Sequence, residues 1–276
     1  MTICKKSILA LCASVMLCAQ AGDVPAVEQV TFVFAHGLGG SLRDGLFHAR
    51  RNIICEPMHS FNFQHAIRGN EFVSFGQELE IETLKTECDS ILGNKVLVGL
   101  SMGASSIITY LSDHYSPDIK AAVLISPFDS LESVIAFKTY SIPGVYNVAK
   151  KFINSSFMYP HYDDHGIKPI KVVHKLNKNM PILFIHSKAD ELVPVTCSRH
   201  MYRHLKRAGH NDVYLLELDT ATHAGHCYGP DAQVVEKVVH AFYKKYNLPH
   251  NPELAQDGDA LFNQCQPTIK EVAQRK

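Results

Sequence analysis

The sequence predicts an α/β protein in which a mainly parallel sheet is flanked by helices and carries a helical cap insertion. The first observation behind this prediction is that apolar runs typical of buried strands alternate with helical patterns from residue 30 to residue 246. The second is that the alternation stops once, over about 128–179, in a segment without a clear strand. The third is that polar or glycine-rich loops follow four of the apolar runs, at the edge where parallel sheets place their chemistry.

The chain begins with the pattern of an export signal. Lys5 and Lys6 precede an apolar run over 7–19, and Ala19-Gln20-Ala21 provides small residues around a cleavage site. The apolar run is too short to span a membrane comfortably, and polar sequence follows it directly. We therefore expect residues 1–21 to be a signal peptide and the mature protein to be exported, either periplasmic or secreted.

The rest of the chain, residues 22–276, is long enough for one large core, and no linker divides it, so we expect a single domain. Its last part, about 248–276, is a polar C-terminal tail. The net charge is zero and no block of like charge occurs, which argues against nucleic acid as a partner. Beyond the signal peptide the sequence contains no strong membrane signal.

Three of the eight cysteines lie in the predicted signal peptide. An exported protein passes through an oxidising compartment, so one or two disulfides are expected among the remaining cysteines. Their odd number leaves at least one unpaired, and the sequence does not assign the pairs. These cysteines are Cys55, Cys88, Cys197, Cys227 and Cys265.

The strands are predicted from apolar runs without polar alternation, as expected for strands buried on both faces of a parallel sheet. They cover 30–35, 60–63, 95–98, 121–125, 181–186 and 213–218. Amphipathic patterns predict helices over 41–54, 75–91, 105–115 and 196–208, and a further helix that begins near residue 230. The polar tail contains only a weak helical pattern, around 252–262.

The third predicted strand leads into the motif Gly99-Leu100-Ser101-Met102-Gly103 and then into a helix. A strand that turns sharply into a helix places one residue at the apex, and the two glycines let strand and helix approach closely enough for such a turn. Ser101 is then exposed at the carboxyl end of a strand, beside a helix N-terminus that favours negative charge. A nucleophile that forms an anionic tetrahedral intermediate is expected at such a position.

Three segments resemble the α/β-hydrolase superfamily: the turn around Ser101, the loop His36-Gly37-Leu38-Gly39-Gly40 after the first strand, and the segment 186–194. The resemblance covers roughly 28–245 and is strongest to small, cap-bearing serine esterases, lipases and peptidases. It implies the α/β-hydrolase fold. Little sequence precedes Val30 to form the first antiparallel strands of the superfamily, so a reduced sheet of six strands is expected.

The chemistry and the resemblance both assign Ser101 as nucleophile, His223 as general base and Asp190 as the acid that orients the base. A serine hydroxyl is a poor nucleophile unless a base lies within hydrogen-bond reach, and the order Ser, Asp, His along the chain is that of the superfamily. The backbone N–H groups of Leu38 and Met102 are expected to form the oxyanion hole.

Two of these assignments have alternatives in the sequence. His226 lies three residues after His223. The distances of His223 from the last strand and from the next helix resemble the spacing of the base in the superfamily, which favours His223, while the small residues before His226 also resemble the approach to that base. Glu191 is the alternative acid if the register of this loop is shifted by one residue. Asp190 also has a structural interpretation, as an acidic residue that caps the following helix.

These residues predict a serine hydrolase that cleaves a carboxylic ester, a thioester or an amide through an acyl-enzyme intermediate. The alternative is a catalytically silent α/β-hydrolase fold that acts as a binding protein. The substrate is expected to be a small molecule or a lipid-like or peptide-like compound, without a cofactor. No metal is expected, because among 16 histidines near-pairs such as His223 and His226 arise by chance, and no third ligand is anchored nearby.

Overall fold

The computed structural model describes residues 29–140, 142, 144–153, 159–223 and 225–275. The predicted signal peptide and the predicted start of the mature chain lie outside this part. Within these ranges, no helix combines the length and the apolar character needed to cross a membrane.

The centre of the described structure is one parallel sheet of six strands. They lie in the order β2-β1-β3-β4-β5-β6, and every neighbouring pair is parallel. This arrangement confirms the predicted mainly parallel sheet and its reduced size. The strands are β1 (Val30–Ala35), β2 (Met58–Ser60), β3 (Asn94–Leu100), β4 (Ile119–Ile125), β5 (Ile182–Ser187) and β6 (Val213–Leu218).

Helices cover both faces of this sheet. The described α-helices are α1 (Arg43–Arg50), α2 (Gln64–Arg68), α3 (Glu78–Ser90), α4 (Met102–His114), α5 (Leu131–Thr139), α6 (Val145–Ile153), α7 (Pro169–Val172), α8 (Thr196–Arg207), α9 (Gly229–Lys245), α10 (Pro252–Phe262) and α11 (Ile269–Gln274). Short 3-10 helices occur at Asn70–Phe72, Val173–Lys175 and Gly225–Cys227.

Side chains of each strand alternate between two apolar cores, because successive strand residues point to opposite faces of a sheet. Leu97 and Phe184 lie in the core that α3, α4 and α8 cover. Val98 and Leu183, one position away, lie in the core that α9 and α10 cover. Since both faces are buried, the strands need apolar residues at every position, which explains the continuous apolar runs of the sequence.

The first two elements after β1 differ from the prediction at their ends. β2 occupies Met58–Ser60, whereas the predicted strand covers 60–63. Phe61 and Phe63 are apolar because they pack into the core after the strand has ended, and they do not pair with β1. The helix predicted over 41–54 is likewise shorter at both ends.

The segment predicted as a cap, 128–179, has two different parts. In the first part, Lys138 of α5 donates a hydrogen bond to the carbonyl oxygen of Glu191, so this helix reaches the loop that follows β5. In the second part, α7 and the 3-10 helix after it pack against α4, with Val172 buried and Val173 in the core. The second part therefore contributes to the core of the domain.

The polar tail forms two helices. α10 coincides with the weak pattern at 252–262, and the Asn251 side chain caps it by accepting hydrogen bonds from two backbone N–H groups of its first turn. α10 lies so close to α9 that a Cβ at Gly258 would be 2.0 Å from the carbonyl oxygen of Lys237. The sequence pattern does not predict α11, which buries Val272 in the core.

The expectation of one or two disulfides is wrong, because all five cysteines in the described part of the chain are free. The sheet separates them into two groups. Cys88 and Cys197 lie in the core on one face, whereas Cys227 and Cys265 lie in the core on the other face, against which Cys55 packs.

Candidate active site

Ser101 is the single residue between β3 and α4. Its backbone has φ 53° and ψ −116°, a strained conformation for a residue with a side chain. Gly99 and Gly103 have no room for a side chain, because other backbone lies too close to them. A Cβ at Gly103 would lie 2.1 Å from the carbonyl oxygen of Ala35, and a Cβ at Gly99 would lie 2.6 Å from the backbone of α4. The turn that the motif predicts therefore forms, with Ser101 at its apex.

The structure brings Ser101, His223 and Asp190 together in a row of hydrogen bonds. Nε2 of His223 lies 2.9 Å from Oγ of Ser101, and Nδ1 of His223 lies 2.7 Å from Oδ2 of Asp190. A carboxylate only accepts hydrogen bonds, so Nδ1 carries the ring proton and Nε2 accepts from the Ser101 hydroxyl. The ring of His223 is thereby held in the tautomer that a base acting on Ser101 requires.

Asp190 is held in its ionised form. Its side chain is fully buried, and Oδ1 accepts hydrogen bonds from the N–H groups of Leu192, at 2.9 Å, and Val193, at 2.8 Å. Burial alone would raise the pKa of Asp190, but hydrogen bonds from His186 and His223 outweigh it and hold that pKa well below its ordinary value. A negative charge therefore faces the protonated nitrogen of His223.

His186, near the end of β5, contacts Asp190, and the sequence did not reveal this contact. Its ring is fully buried, with Nδ1 2.7 Å from Oγ of Ser198 and Nε2 3.0 Å from the carbonyl oxygen of Val193. Nε2 also lies 3.3 Å from Oδ2 of Asp190. Since Nε2 faces two acceptors it carries the ring proton, and Nδ1 accepts from Ser198. The signal in the sequence is a histidine at the end of an apolar run, four residues before Asp190.

The two alternative residues, His226 and Glu191, lie outside this row. Nε2 of His226 is 3.0 Å from Nε2 of His48, and burial, together with the nearby His48 and His223, lowers the pKa of His226 to about 3. Oε2 of the exposed Glu191 accepts a hydrogen bond from the backbone N–H of His223 at 3.1 Å. Glu191 therefore contacts the backbone of His223, whereas Asp190 contacts its ring.

The glycine-rich loop after β1 lies against Ser101. A Cβ at Gly37 would be 3.2 Å from Cβ of Ser101, so a side chain at this position would crowd the serine. The buried His36 fastens the loop, because its Nδ1 donates to the carbonyl oxygen of Gly37 at 2.8 Å and its Nε2 accepts from the N–H of Phe63 at 3.1 Å.

The predicted oxyanion-hole donors belong to the residues next to this contact. Within the described backbone, the N–H of Leu38 donates to no other backbone group outside helices and strands. The N–H of Met102 is in the first turn of α4, where a helix provides no acceptor for it. Leu38 follows Gly37 and Met102 follows Ser101. Both N–H groups are therefore next to the place where the glycine-rich loop contacts Ser101.

Known proteins share this architecture. The model of the prolyl oligopeptidase family matches residues 96–247, which include Ser101, Asp190 and His223. A protein of Bacillus subtilis, described as uncharacterized protein YqkD, is 27% identical over 166 residues, which make up 56% of this chain and 52% of YqkD. The chain thus spans about half the length of that curated relative.

Solved structures with the same fold include several hydrolases. An esterase of Pyrococcus furiosus superposes with a TM-score of 0.59 at 20% identity, covering 79% of this chain and 83% of the esterase. A monoacylglycerol lipase of Paleococcus ferrophilus superposes with a TM-score of 0.54 at 17% identity, covering 78% of this chain and 94% of the lipase. An acylaminoacyl peptidase of Pyrococcus horikoshii superposes with a TM-score of 0.51 at 16% identity, covering 90% of this chain and 40% of the peptidase. Because the family model matches more than half of its residues, the chain belongs to the prolyl oligopeptidase family, and it has the α/β-hydrolase fold.

Proposed function

We propose that the protein is a serine hydrolase that cleaves a carboxylic ester, a thioester or an amide through an acyl-enzyme intermediate. The observation that carries this proposal is the row of hydrogen bonds from Asp190 through His223 to Ser101. A serine becomes a nucleophile when a base lies within hydrogen-bond reach, and that base needs an orienting partner. The unbroken row also favours an enzyme over a binding protein of the same fold.

In the first half of the proposed reaction, Nε2 of His223 takes the proton of Ser101 while Oγ attacks the carbonyl carbon of the substrate. The imidazolium of His223 is stabilised by the carboxylate of Asp190. It then gives its Nε2 proton to the leaving oxygen, sulfur or nitrogen, and the acyl group remains as an ester on Ser101. In the second half, water gives a proton to His223 and its oxygen attacks this ester; His223 then returns the proton to Oγ of Ser101 as the bond to the acyl group breaks, which releases the acid and restores the serine.

The negative oxygen of each tetrahedral intermediate would be bound by the N–H groups of Leu38 and Met102. Donors that point at the position of this oxygen lower the barrier by about 3 kcal/mol each in comparable sites. Two features support this assignment. The loop of Leu38 is fastened by His36, and the start of α4 at Met102 carries the positive end of the helix dipole.

The side chains of the predicted cap favour a substrate with an apolar acyl or aryl group. Large apolar side chains in this segment are exposed: Phe137, Tyr140, Ile142 and Val148. Because α5, which carries Phe137, contacts the loop of Asp190 through Lys138, we infer that this segment borders the approach to Ser101, where exposed apolar side chains would bind an apolar group. Two of the structural neighbours are described as an esterase and a monoacylglycerol lipase, which is in line with an ester of this kind.

Hydrolysis of p-nitrophenyl esters with acyl chains of increasing length tests the proposal. We expect the wild-type protein to hydrolyse them and Ser101→Ala to lose turnover by a factor on the order of 10⁴ or more. Ser112→Ala is the matched control, because this serine lies in α4, the helix that follows Ser101, and its hydroxyl donates to the carbonyl oxygen of Thr109. A folded wild-type protein that hydrolyses no ester, thioester or amide would favour the binding protein.

A further inference from the structure

A second group of reactive side chains lies outside the row formed by Ser101, His223 and Asp190. We call it the buried cluster: His48 of α1, with His226 and Cys227 of the last 3-10 helix. These residues are 3%, 2% and 1% exposed, respectively. One nitrogen of each imidazole ring and the thiol sulfur lie within 4.8 Å of one another, and the two Nε2 atoms are 3.0 Å apart.

The ring of His48 presents a lone pair to the cluster. Its Nδ1 donates a hydrogen bond to the carbonyl oxygen of Asp44 at 2.7 Å, so in the neutral ring Nε2 carries no proton. The ring also packs against Phe34, with ring centroids 4.6 Å apart, which fixes its orientation. A histidine whose Nδ1–H is bound to a backbone carbonyl is the usual form of a metal ligand.

The ring of His226 is not satisfied by its neighbours in the described structure. To bond with His48, its Nε2 must carry the proton, and its Nδ1 is then a buried acceptor without a hydrogen-bond partner. A buried polar atom left without a partner costs stability. A cation bound on the Nε2 side would allow the proton to occupy Nδ1, which would place the lone pairs of both histidines on the same ion.

We propose that Nε2 of His48, Nε2 of His226 and Sγ of Cys227 bind one Cu(I) ion. Thiolate and imidazole ligands suit soft d¹⁰ cations such as Cu(I) and Zn²⁺. The cluster offers three ligands in a buried location, whereas a structural Zn²⁺ site takes four. Cu(I) with one thiolate is also uncharged overall, while Zn²⁺ with the same ligands would leave a net positive charge in the interior.

The ligand atoms need only small movements to reach this geometry. Three ligands around one ion, at bonds of about 2.0–2.3 Å, lie roughly 3.5 Å from one another. The two Nε2 atoms, 3.0 Å apart, must therefore separate slightly, and Sγ of Cys227, which lies within 4.8 Å of a nitrogen of each ring, must approach by at most about 1.3 Å. The S–H bond of Cys227 breaks and an S–Cu bond forms, so one proton is released to solvent for each ion bound. No electron is transferred, because the ion enters as Cu(I).

Binding would connect α1 to the loop that carries His223. His226 is three residues after His223, and His48 is 178 residues away from His226 in the sequence. An ion that binds the folded protein and not the unfolded chain raises the melting temperature. Because none of the three ligands belongs to the row at Ser101, this proposal does not depend on the proposed hydrolase reaction.

Anaerobic titration of the full chain with Cu(I), in competition with bicinchoninate, tests the inference. We expect one equivalent to bind, with an X-ray absorption spectrum of one sulfur and two nitrogen ligands, and a melting temperature higher by several degrees. Cys227→Ser and His48→Gln should each weaken binding at least 100-fold. Cys265→Ser, which changes another buried cysteine on the same face of the sheet, should bind as the wild type does.

Each contrary outcome is distinct. A wild-type protein that binds no stoichiometric Cu(I), or equal binding by wild type and both ligand variants, would overturn the site. Tight binding of one Zn²⁺, followed with a chromophoric chelator, together with no binding of Cu(I) would overturn the choice of ion.

Discussion

His223 and Asp190 are joined by a hydrogen bond of 2.7 Å between Nδ1 and Oδ2, and this bond determines which nitrogen of His223 faces Ser101. The carboxylate can only accept, so the ring proton stays on Nδ1. Asp190 itself is kept in place by the backbone N–H groups of Leu192 and Val193 and by the buried ring of His186. The protonation state of the proposed base is therefore determined by the acid and the loop around it.

Asp190→Asn should reverse this tautomer. The amide can donate to Nδ1 of His223, so the proton would move to Nε2 and the ring could no longer accept from Ser101. We expect kcat to fall by a factor on the order of 10⁴ while KM changes little, measured by steady-state ester hydrolysis. Glu191→Gln is the matched control. Of the three residues Ser101, His223 and Asp190, Glu191 contacts only the backbone N–H of His223, so the variant should retain activity within about tenfold. Equal loss in both variants would contradict the assignment of the acid.

The two neighbouring histidines should behave differently. His223→Ala removes the group that bridges Ser101 and Asp190, so turnover should fall by several orders of magnitude, roughly 10⁴ to 10⁶. His226→Ala removes a ring that pairs with His48, and its effect should appear mainly as lower thermal stability with a far smaller loss of turnover. Kinetics and melting curves of both variants decide between them. An inactive His226→Ala beside an active His223→Ala would show that the other histidine is the base.

Much of this site follows from local sequence. Gly99 and Gly103 could be recognised because their motif lies within one strand–turn–helix segment, and His223 could be chosen because its distance from the last strand resembles that of the base in the superfamily. His186 was harder to recognise, because its role depends on Ser198 and on the carbonyl oxygen of Val193, which reach it only when the loop has folded.

Contacts between distant parts of the chain could not be predicted. The pairing of His48 with His226 joins α1 to the loop before α9, and no sequence pattern specifies it. The disulfide expectation failed for a related reason, since the number of cysteines does not reveal which face of the sheet each one occupies. The cap prediction did not separate exposed apolar residues such as Val148 from core residues such as Val173, because both belong to short helical patterns.

The stability of the sheet edge should depend on pH through Glu217 of β6. The carboxylate accepts two hydrogen bonds of 2.9 Å from Arg199 and lies 3.2 Å from Arg275, and the side chains of Glu217 and Arg199 are almost fully buried. Burial alone would raise the pKa of Glu217, but the two arginines outweigh it and lower that pKa. A lowered pKa adds stability above the pKa of the unfolded chain, about 4.3, and this contribution is lost as the pH falls through the folded-state value.

Glu217→Gln should therefore reduce the free energy of unfolding by about 3 kcal/mol at pH 7, because it leaves a buried arginine without its carboxylate. The difference from wild type should shrink as the pH is lowered below about 4. Urea unfolding at several pH values measures this. Asp219→Asn, which breaks the exposed pair with Lys188, is the control and should cost less than about 1 kcal/mol. A difference for Glu217→Gln that is independent of pH would refute the electrostatic explanation.

The most direct test of the central proposal is to locate the nucleophile by mass spectrometry after reaction with a fluorophosphonate. We predict a single adduct on Ser101 in the wild-type protein, no adduct on that peptide in Ser101→Ala, and labelling slowed by orders of magnitude in His223→Ala, because the serine then lacks its base. An adduct on another residue, or a folded wild-type protein that the probe does not label, would contradict the assignment of Ser101 as nucleophile.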